Sequence, residues 1–282
     1  MASQPAPRIG IFDSGIGGLS VLRAVQQRLP GAHLTYIADS RHTPWGDRPT
    51  AWVSARCVQL AGWLIDDGAD LVLVACNTGT TQAIGALRLR WPGHRFVGVE
   101  PGIKPAVAAS RNGRVAVMAT TGTLRSARLQ QLVASHAGSA QVVQLPCPGL
   151  ADAIEAAGDD PQPLQRQLAA IAHTIGSSGA DTVVLGCTHY PLVADALQAL
   201  LGPGVLLLDT ADAVARRVAS LLDMPQPANG ANLAAVVRPP PALQLLATAH
   251  PVPLERAAQR WLGHGGTVQL LQLPGDADPG RA

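Results

Sequence analysis

The sequence predicts an α/β protein of two similar halves, each a mainly parallel sheet flanked by helices. Three observations carry that prediction. First, an apolar run leads to a cysteine twice: Gly68-Ala69-Asp70 passes through Leu71-Val72-Leu73-Val74-Ala75 into Cys76, and Gly179-Ala180-Asp181 passes through Thr182-Val183-Val184-Leu185-Gly186 into Cys187. Second, each run is short, β-rich and entered from a glycine turn, the pattern of a strand buried on both faces of a parallel sheet. Third, the likeness extends beyond the cysteines. The segment 9–19, a strand, a turn with Ser14 and glycines, then a helix, has its counterpart in 114–124, where Thr120 falls at the step of Ser14. Ligands of parallel sheets gather at the carboxyl ends of the strands, which is where each run leaves its sulfur. Two equivalent thiols therefore predict one pocket with a sulfur on either side.

Residues 8–12 form the first strand, ending in Asp13-Ser14-Gly15-Ile16-Gly17-Gly18. Glycines there allow a tight turn whose backbone N–H groups approach a ligand, and helical spacing follows over 19–29. The order Gly-x-Gly-Gly departs from the dinucleotide fingerprint and no Walker lysine follows, which favours a carboxylate or phosphate cradle over a nucleotide site. A second strand, 33–38, runs into a loop at 39–47 that carries Pro44, Trp45 and Gly46, a setting in which binding residues often sit. Helix 50–67 places Val53, Cys57, Leu60 and Leu64 near one face, so Cys57 reads as a small core residue.

After Cys76-Asn77-Thr78, a helix beginning at Gly79 points its N-terminal N–H groups at Cys76, an arrangement that lowers a thiol pKa from about 8.5 and attracts a carboxylate. Strand 96–99 leads to Glu100-Pro101-Gly102-Ile103-Lys104-Pro105, a hinge into the second half. There the pattern repeats as strand 114–118, the turn Thr120-Thr121-Gly122-Thr123, strand 141–145, an acidic helix through Asp152 and Glu155, helix 164–178 and the second cysteine strand. From Val205 the chain is expected to return to the first half, with a helix over 211–222 and an exposed loop over 225–241. A strand pair at 243–247 and 268–273 brackets helix 254–262, and 275–282 is expected to be disordered. The predicted domains are 1–99 plus 212–282, and 100–211.

A chain of 282 residues, 47% apolar and 14% charged, describes a globular protein with a substantial core. No run approaches the ~18–20 apolar residues that span a bilayer. The N-terminus lacks the apolar core of a secretion signal, so a cytoplasmic location and no membrane partner are expected. A net charge of +2 without a basic cluster excludes nucleic acid as an expected partner. Cys57, Cys76, Cys147 and Cys187 form no CxxC pair, which argues for reduced thiols rather than a disulfide framework.

Paired thiols suit proton transfer at a carbon next to a carboxylate, where one group removes a proton from one face and another returns one to the opposite face. Asn77 and Thr78 supply hydrogen bonds beside one sulfur, Thr188 and His189 beside the other, and Asp13 and Glu155 are candidate proton-holding acids. Cys147 lacks such a setting and reads as structural. A pyridoxal-dependent reaction needs a Schiff-base lysine, and the only lysine, Lys104, sits beside a proline in the hinge. A non-enzymatic metal site at Cys76, Cys187 and His189 lacks the ligand count and spacing of a structural zinc site.

Four ordered motifs, Phe12-Asp13-Ser14-Gly15-Ile16-Gly17-Gly18, Ala75-Cys76-Asn77-Thr78, Val99-Glu100-Pro101-Gly102-Ile103-Lys104-Pro105 and Leu185-Gly186-Cys187-Thr188-His189-Tyr190-Pro191, closely resemble the bacterial glutamate racemases. The resemblance runs from about residue 8 to 212 and resumes at 243–273. It implies two pseudo-symmetric α/β domains with the active site in the cleft between them, and cofactor-independent, metal-free interconversion of L- and D-glutamate for peptidoglycan synthesis. It implies Cys76 as the base for D-glutamate, Cys187 as the base for L-glutamate, and Asp13, His189 and Glu155 as their helpers. Substrate contacts implied are Asp13, Ser14, Trp45, Gly46, Asn77, Thr78, Thr120, Thr188 and His189. The partner is then the small molecule glutamate, and a homodimer is an admissible assembly. The sequence departs from the family at Trp45, where Tyr is usual, and at Gly79-Thr80-Thr81, where Ala-Ser-Ala is usual. A pocket crowded by Trp45 would favour aspartate, which keeps aspartate racemase as the alternative.

Overall fold

The computed structural model describes residues 6–158, 160–223 and 242–276. The first half opens with β1 (Arg8–Asp13), α1 (Leu19–Arg28), β2 (His33–Ala38), α2 (Thr50–Asp66), β3 (Leu71–Val74), α3 (Asn77–Arg90) and β4 (Arg95–Gly98). The second comprises α4 (Ile103–Ala109), β5 (Arg114–Ala119), α5 (Thr121–Leu124), α6 (Ala127–His136), β6 (Gln141–Pro146), α7 (Leu150–Ala156), α8 (Gln162–Ser178), β7 (Thr182–Leu185), a 3₁₀ turn (Tyr190–Val193), α9 (Ala194–Leu201) and β8 (Leu206–Leu208). The chain then returns through α10 (Ala211–Leu221), β9 (Leu243–Ala247), α11 (Val252–Leu262) and β10 (Val268–Leu270).

Two sheets result. One has the order β10-β9-β2-β1-β3-β4 and the other β6-β5-β7-β8, and every strand pairs with its neighbours in parallel. β3 explains why its sequence is uninterruptedly apolar. Leu71 and Leu73 enter one hydrophobic cluster while Val72 and Val74 enter the cluster on the opposite face, so neither face meets water. Gly10 in β1 is set by packing, since a Cβ there would lie 2.9 Å from Leu64 Cβ of α2. One apolar cluster runs through both halves, including Tyr36, Leu73, Met118, Leu185 and Val218.

Three expectations are corrected. The run after Val205 does not return to the first half: β8 continues the second sheet, with Leu206 paired to Thr182, and the crossing is made by α10, which packs on α1 and β4. The hinge is shorter than expected, because α4 already begins at Ile103 and includes Lys104. Gly275 and Asp276 are ordered, and Asp276 is buried with its carboxylate 2.9 Å from Arg56 Nη1. The loop expected over 225–241 and the remaining tail, 277–282, lie outside the described residues. Among the described residues no helix is long and apolar enough to cross a membrane.

Candidate active site

Residues at the carboxyl ends of β1, β3, β5 and β7 come together: Thr188 after β7 bonds Asp13 of β1, and Thr78 after β3 bonds Thr120 after β5. Cys76 follows β3 and is itself the N-cap of α3, which begins at Asn77, two residues earlier than the sequence suggests, with its sulfur accepting the Gly79 N–H at 3.4 Å. The Cys76 S–H lies 3.8 Å from Ser14 Oγ. Cys187 follows β7, and its sulfur lies 3.8 Å from Nδ1 of His189. Both sulfurs are enclosed, the cysteines being 5% and 7% exposed. They are close enough that charge on Cys187 bears on the Cys76 thiol.

Asp13 connects the two sides. One carboxylate oxygen accepts the Ser14 N–H at 2.7 Å; the other accepts the Gly18 N–H at 2.6 Å and the Thr188 hydroxyl at 3.3 Å, from the residue beside Cys187. Burial pushes the Asp13 carboxyl above its ordinary value despite these donors and the nearby His189 cation, so it takes up a proton more readily than a solvated aspartate. Burial, followed by the Asp13 charge, also pushes the Cys76 thiol well up, and the Gly79 N–H only partly opposes them. The lowering expected from a helix N-terminus is therefore outweighed, and the protonated form of Cys76 is favoured.

On the Cys187 side the balance is opposite. Burial disfavours an imidazolium, but the hydrogen bonds to Cys187 and Glu155 outweigh it and raise His189 well above an ordinary histidine. Glu155 Oε1 lies 2.7 Å from His189 Nε2 and also accepts the Ile16 N–H at 3.1 Å. Burial works against the Glu155 anion, yet these partners bring its carboxyl below the usual range. Glu155 and His189 come from the second half, and they reach the first only because Gly15 and Gly17 carry no side chain: a Cβ on Gly15 would strike Glu155 Oε1, and one on Gly17 the His189 ring. The glycine turn thus admits protein side chains, and its Ile16 and Gly18 N–H groups are occupied by protein carboxylates.

The pair makes a pH-dependent prediction. The raised His189 stabilises the fold fully below the ordinary histidine value and loses that contribution as pH rises through its higher folded value; the lowered Glu155 contributes above the ordinary glutamate value and loses it as pH falls through its lower one. Both contributions are whole between the ordinary glutamate and histidine values, about pH 4.3 to 6.5; the His189 contribution declines above that window and the Glu155 contribution below it. Glu155→Gln is expected to lower the His189 pKa, and NMR titration of the imidazole checks the direction.

Hydroxyls close the junction between α3 and α5. Thr78 Oγ1 lies 2.9 Å from Thr120 Oγ1 and 3.3 Å from Thr123 Oγ1, and Thr120 caps α5. Thr123, fully buried, was not singled out by the sequence, although the hydroxyl run 120–123 carried the signal. Asn77 turns its amide to the Val99 carbonyl at 3.3 Å. Gly46 packs against Thr120, where a Cβ would lie 2.9 Å from Thr120 Cβ, and its carbonyl accepts the Gly122 N–H. Tyr36, also not singled out, donates its hydroxyl to the Gly15 carbonyl at 2.7 Å. Nothing local distinguishes it from any other buried residue of β2.

Trp45 is the implied contact whose side chain lies elsewhere. Its ring is 1% exposed, packs on Phe12 and Trp52, and donates its N–H to Asp39 at 3.2 Å. A Cβ on Gly79 would lie 3.0 Å from this ring, so the two departures from the family pattern touch each other. The larger ring at 45 is accommodated by the missing Cβ at 79, and it crowds the core rather than the junction. Cys57 and Cys147 are buried, and burial pushes the Cys147 thiol up to about 12. Among the described residues no cluster of three or more His, Cys, Asp or Glu could hold a metal ion.

Comparison with known proteins follows the same lines. A sequence family described as Asp/Glu/Hydantoin racemase matches residues 17–218. The chain is 44% identical over 222 residues to a glutamate racemase of Pseudomonas paraeruginosa, covering 79% of this chain and 83% of that one. Its fold is similar to a glutamate racemase of Bacillus anthracis, with a TM-score of 0.83 at 27% identity over 96% of this chain and 99% of the other. It is also similar to that of Escherichia coli in complex with L-glutamate and the activator UDP-MurNAc-Ala, with a TM-score of 0.80 at 32% identity over 95% and 99%. On the residues matched and the length covered, the chain belongs to the Asp/Glu/Hydantoin racemase family.

Proposed function

We propose that the protein interconverts L- and D-glutamate without a cofactor, through two bases, Cys76 and Cys187, and so supplies D-glutamate for peptidoglycan synthesis. The observation that carries this reading is the pair of enclosed sulfurs at equivalent strand ends, one held protonated by burial and the other facing a histidine cation. From L-glutamate, Cys187 as thiolate takes the α-proton and the Cys76 thiol gives its own proton to the opposite face; from D-glutamate the transfers reverse. Each turnover leaves the protonation of the two sulfurs exchanged, and Asp13 and the His189–Glu155 pair restore it. Ser14, the Gly46 N–H, Asn77, Thr78, Thr120 and Thr188 hold the carboxylates and the amine around the α-carbon.

The domains carrying this site are 1–99 plus 212–282, and 100–211. We place the reaction in the cytoplasm, with glutamate as the small-molecule partner. Glutamate is favoured over aspartate because Trp45 leaves the junction uncrowded. Deuterium incorporation from D₂O and loss of optical rotation, measured on both amino acids without added cofactor, test the reading. The expected result is exchange at Cα of both glutamate enantiomers and kcat/KM for aspartate lower by at least about tenfold, the scale of one methylene. A folded protein that exchanges neither glutamate enantiomer overturns the reading, and faster turnover of aspartate transfers it to that substrate.

A further inference from the structure

Arg56 of α2 is 4% exposed, and all five of its N–H groups are engaged. Nε and Nη2 fork onto Asp39 at 3.0 and 2.7 Å, Nη1 and Nη2 onto Asp276 at 2.9 and 3.1 Å, and Nη1 also reaches Gln59 at 3.1 Å. Such a doubly bidentate guanidinium fixes direction as well as charge. Asp39 in turn receives the Trp45 indole N–H at 3.2 Å and the Thr248 hydroxyl at 2.9 Å. Its backbone N–H is bonded to the Asp13 carbonyl at 2.9 Å. Asp276 is tied to its own turn by the Leu273 N–H at 3.1 Å, and Leu273 is buried in the same cluster as Trp45 and Cys76.

The chain of contacts therefore runs from the last described residue, through Arg56 and Asp39, to Trp45. From there it reaches two places: Gly46, against Thr120, and Gly79, whose N–H meets the Cys76 sulfur. We propose that Asp276 and Arg56 are positioning residues for the reaction, with the C-terminal turn setting the placement of Gly46 and of the first turn of α3. This rests on the functional reading above, in which Gly46 and Cys76 face the substrate. Neither Asp276 nor Arg56 touches a reacting group, and a buried ion pair far from the chemistry acts here through geometry.

Asp276→Asn keeps the shape and removes the charge, and Thr248→Val removes a hydroxyl from the Asp39 carboxylate with less risk to folding. The readouts are KM and the pH profile of kcat for glutamate, with circular dichroism and the thermal midpoint as controls. The expected result for Asp276→Asn is a KM raised about tenfold, the scale of a sub-ångström misplacement. Its pH profile is expected to shift upward, because a displaced Gly79 N–H no longer favours the Cys76 thiolate. Thr248→Val should move both in the same direction, with KM raised about threefold. Folded variants that lose only thermal midpoint, with KM and pH profile unchanged, overturn the proposal and leave the C-terminal turn a purely stabilising role. A wild type inactive on glutamate overturns the functional reading and this proposal together.

Discussion

Replacing Cys76 with serine is expected to lower racemisation of glutamate by about a thousandfold, the scale of losing one positioned acid/base group. A serine hydroxyl fits where the sulfur sits, beside the Gly79 N–H and Ser14, but it is a far weaker acid than a thiol, so near neutral pH it does not ionise to a base that could take the α-proton and is a poor donor to the α-carbon. The effect should be one-sided in D₂O. Cys187, backed by His189, still removes the α-proton of L-glutamate and returns a deuteron to the same face, so L-glutamate exchanges without inversion. D-glutamate presents its proton to the altered side and should not exchange. NMR of Cα–H with each enantiomer measures both outcomes, and equal exchange from both would contradict the assignment of Cys76 to one face. Cys187→Ser should give the converse pattern.

Gly17→Ala is expected to lower kcat/KM by about a hundredfold without touching an ionisable group, the cost of a misplaced catalytic constellation. A methyl at position 17 collides with the His189 ring, which cannot swing aside because Nε2 is held by Glu155. The two halves must then part at the point where Ile16 donates to Glu155. The measurement is steady-state kinetics with the fold checked by circular dichroism. His189→Asn added to Gly17→Ala should restore little, because both routes displace Glu155; a double variant markedly faster than Gly17→Ala would place the damage in the ring contact alone.

The duplicated architecture was legible because it rests on local chemistry. The apolar runs before each cysteine and the helical periods between the strands each specify their element, and the repeat reinforces the assignments. What the sequence concealed depends on partners distant in the chain. Leu206–Leu208 is three apolar residues with nothing to say which sheet it extends, and pairing with Thr182–Val184 decides it. Trp45 in a Pro- and Gly-bearing loop reads as facing a ligand, yet Asp39, Phe12 and the bare backbone of Gly79 draw it into the core. Terminal residues fray by default, but Arg56, 220 positions earlier, holds Asp276. The residues that the structure brings together around Cys76 and Cys187, among them Asp13, Ser14, Glu155, Thr188 and His189, are singled out in the sequence because such residues announce themselves at strand ends and turns; the raised pKa of Cys76 was not legible, because burial is a property of the folded whole.

The four-strand orders β2-β1-β3-β4 and β6-β5-β7-β8 are copies of one design, and a chain of L-residues can repeat a design only by rotation, never by reflection. Mirror-image molecules must nonetheless be handled by faces that are not mirror images, which is why one sulfur is accompanied by an aspartate and the other by a histidine and a glutamate. Thermodynamics then imposes a discipline the architecture lacks. Two enantiomers in an achiral solvent have equal free energies, so kcat/KM from either direction must be the same in the wild type and in every variant. A substitution beside one sulfur can divide its damage differently between binding and turnover in the two directions, but it cannot make the protein a one-way catalyst.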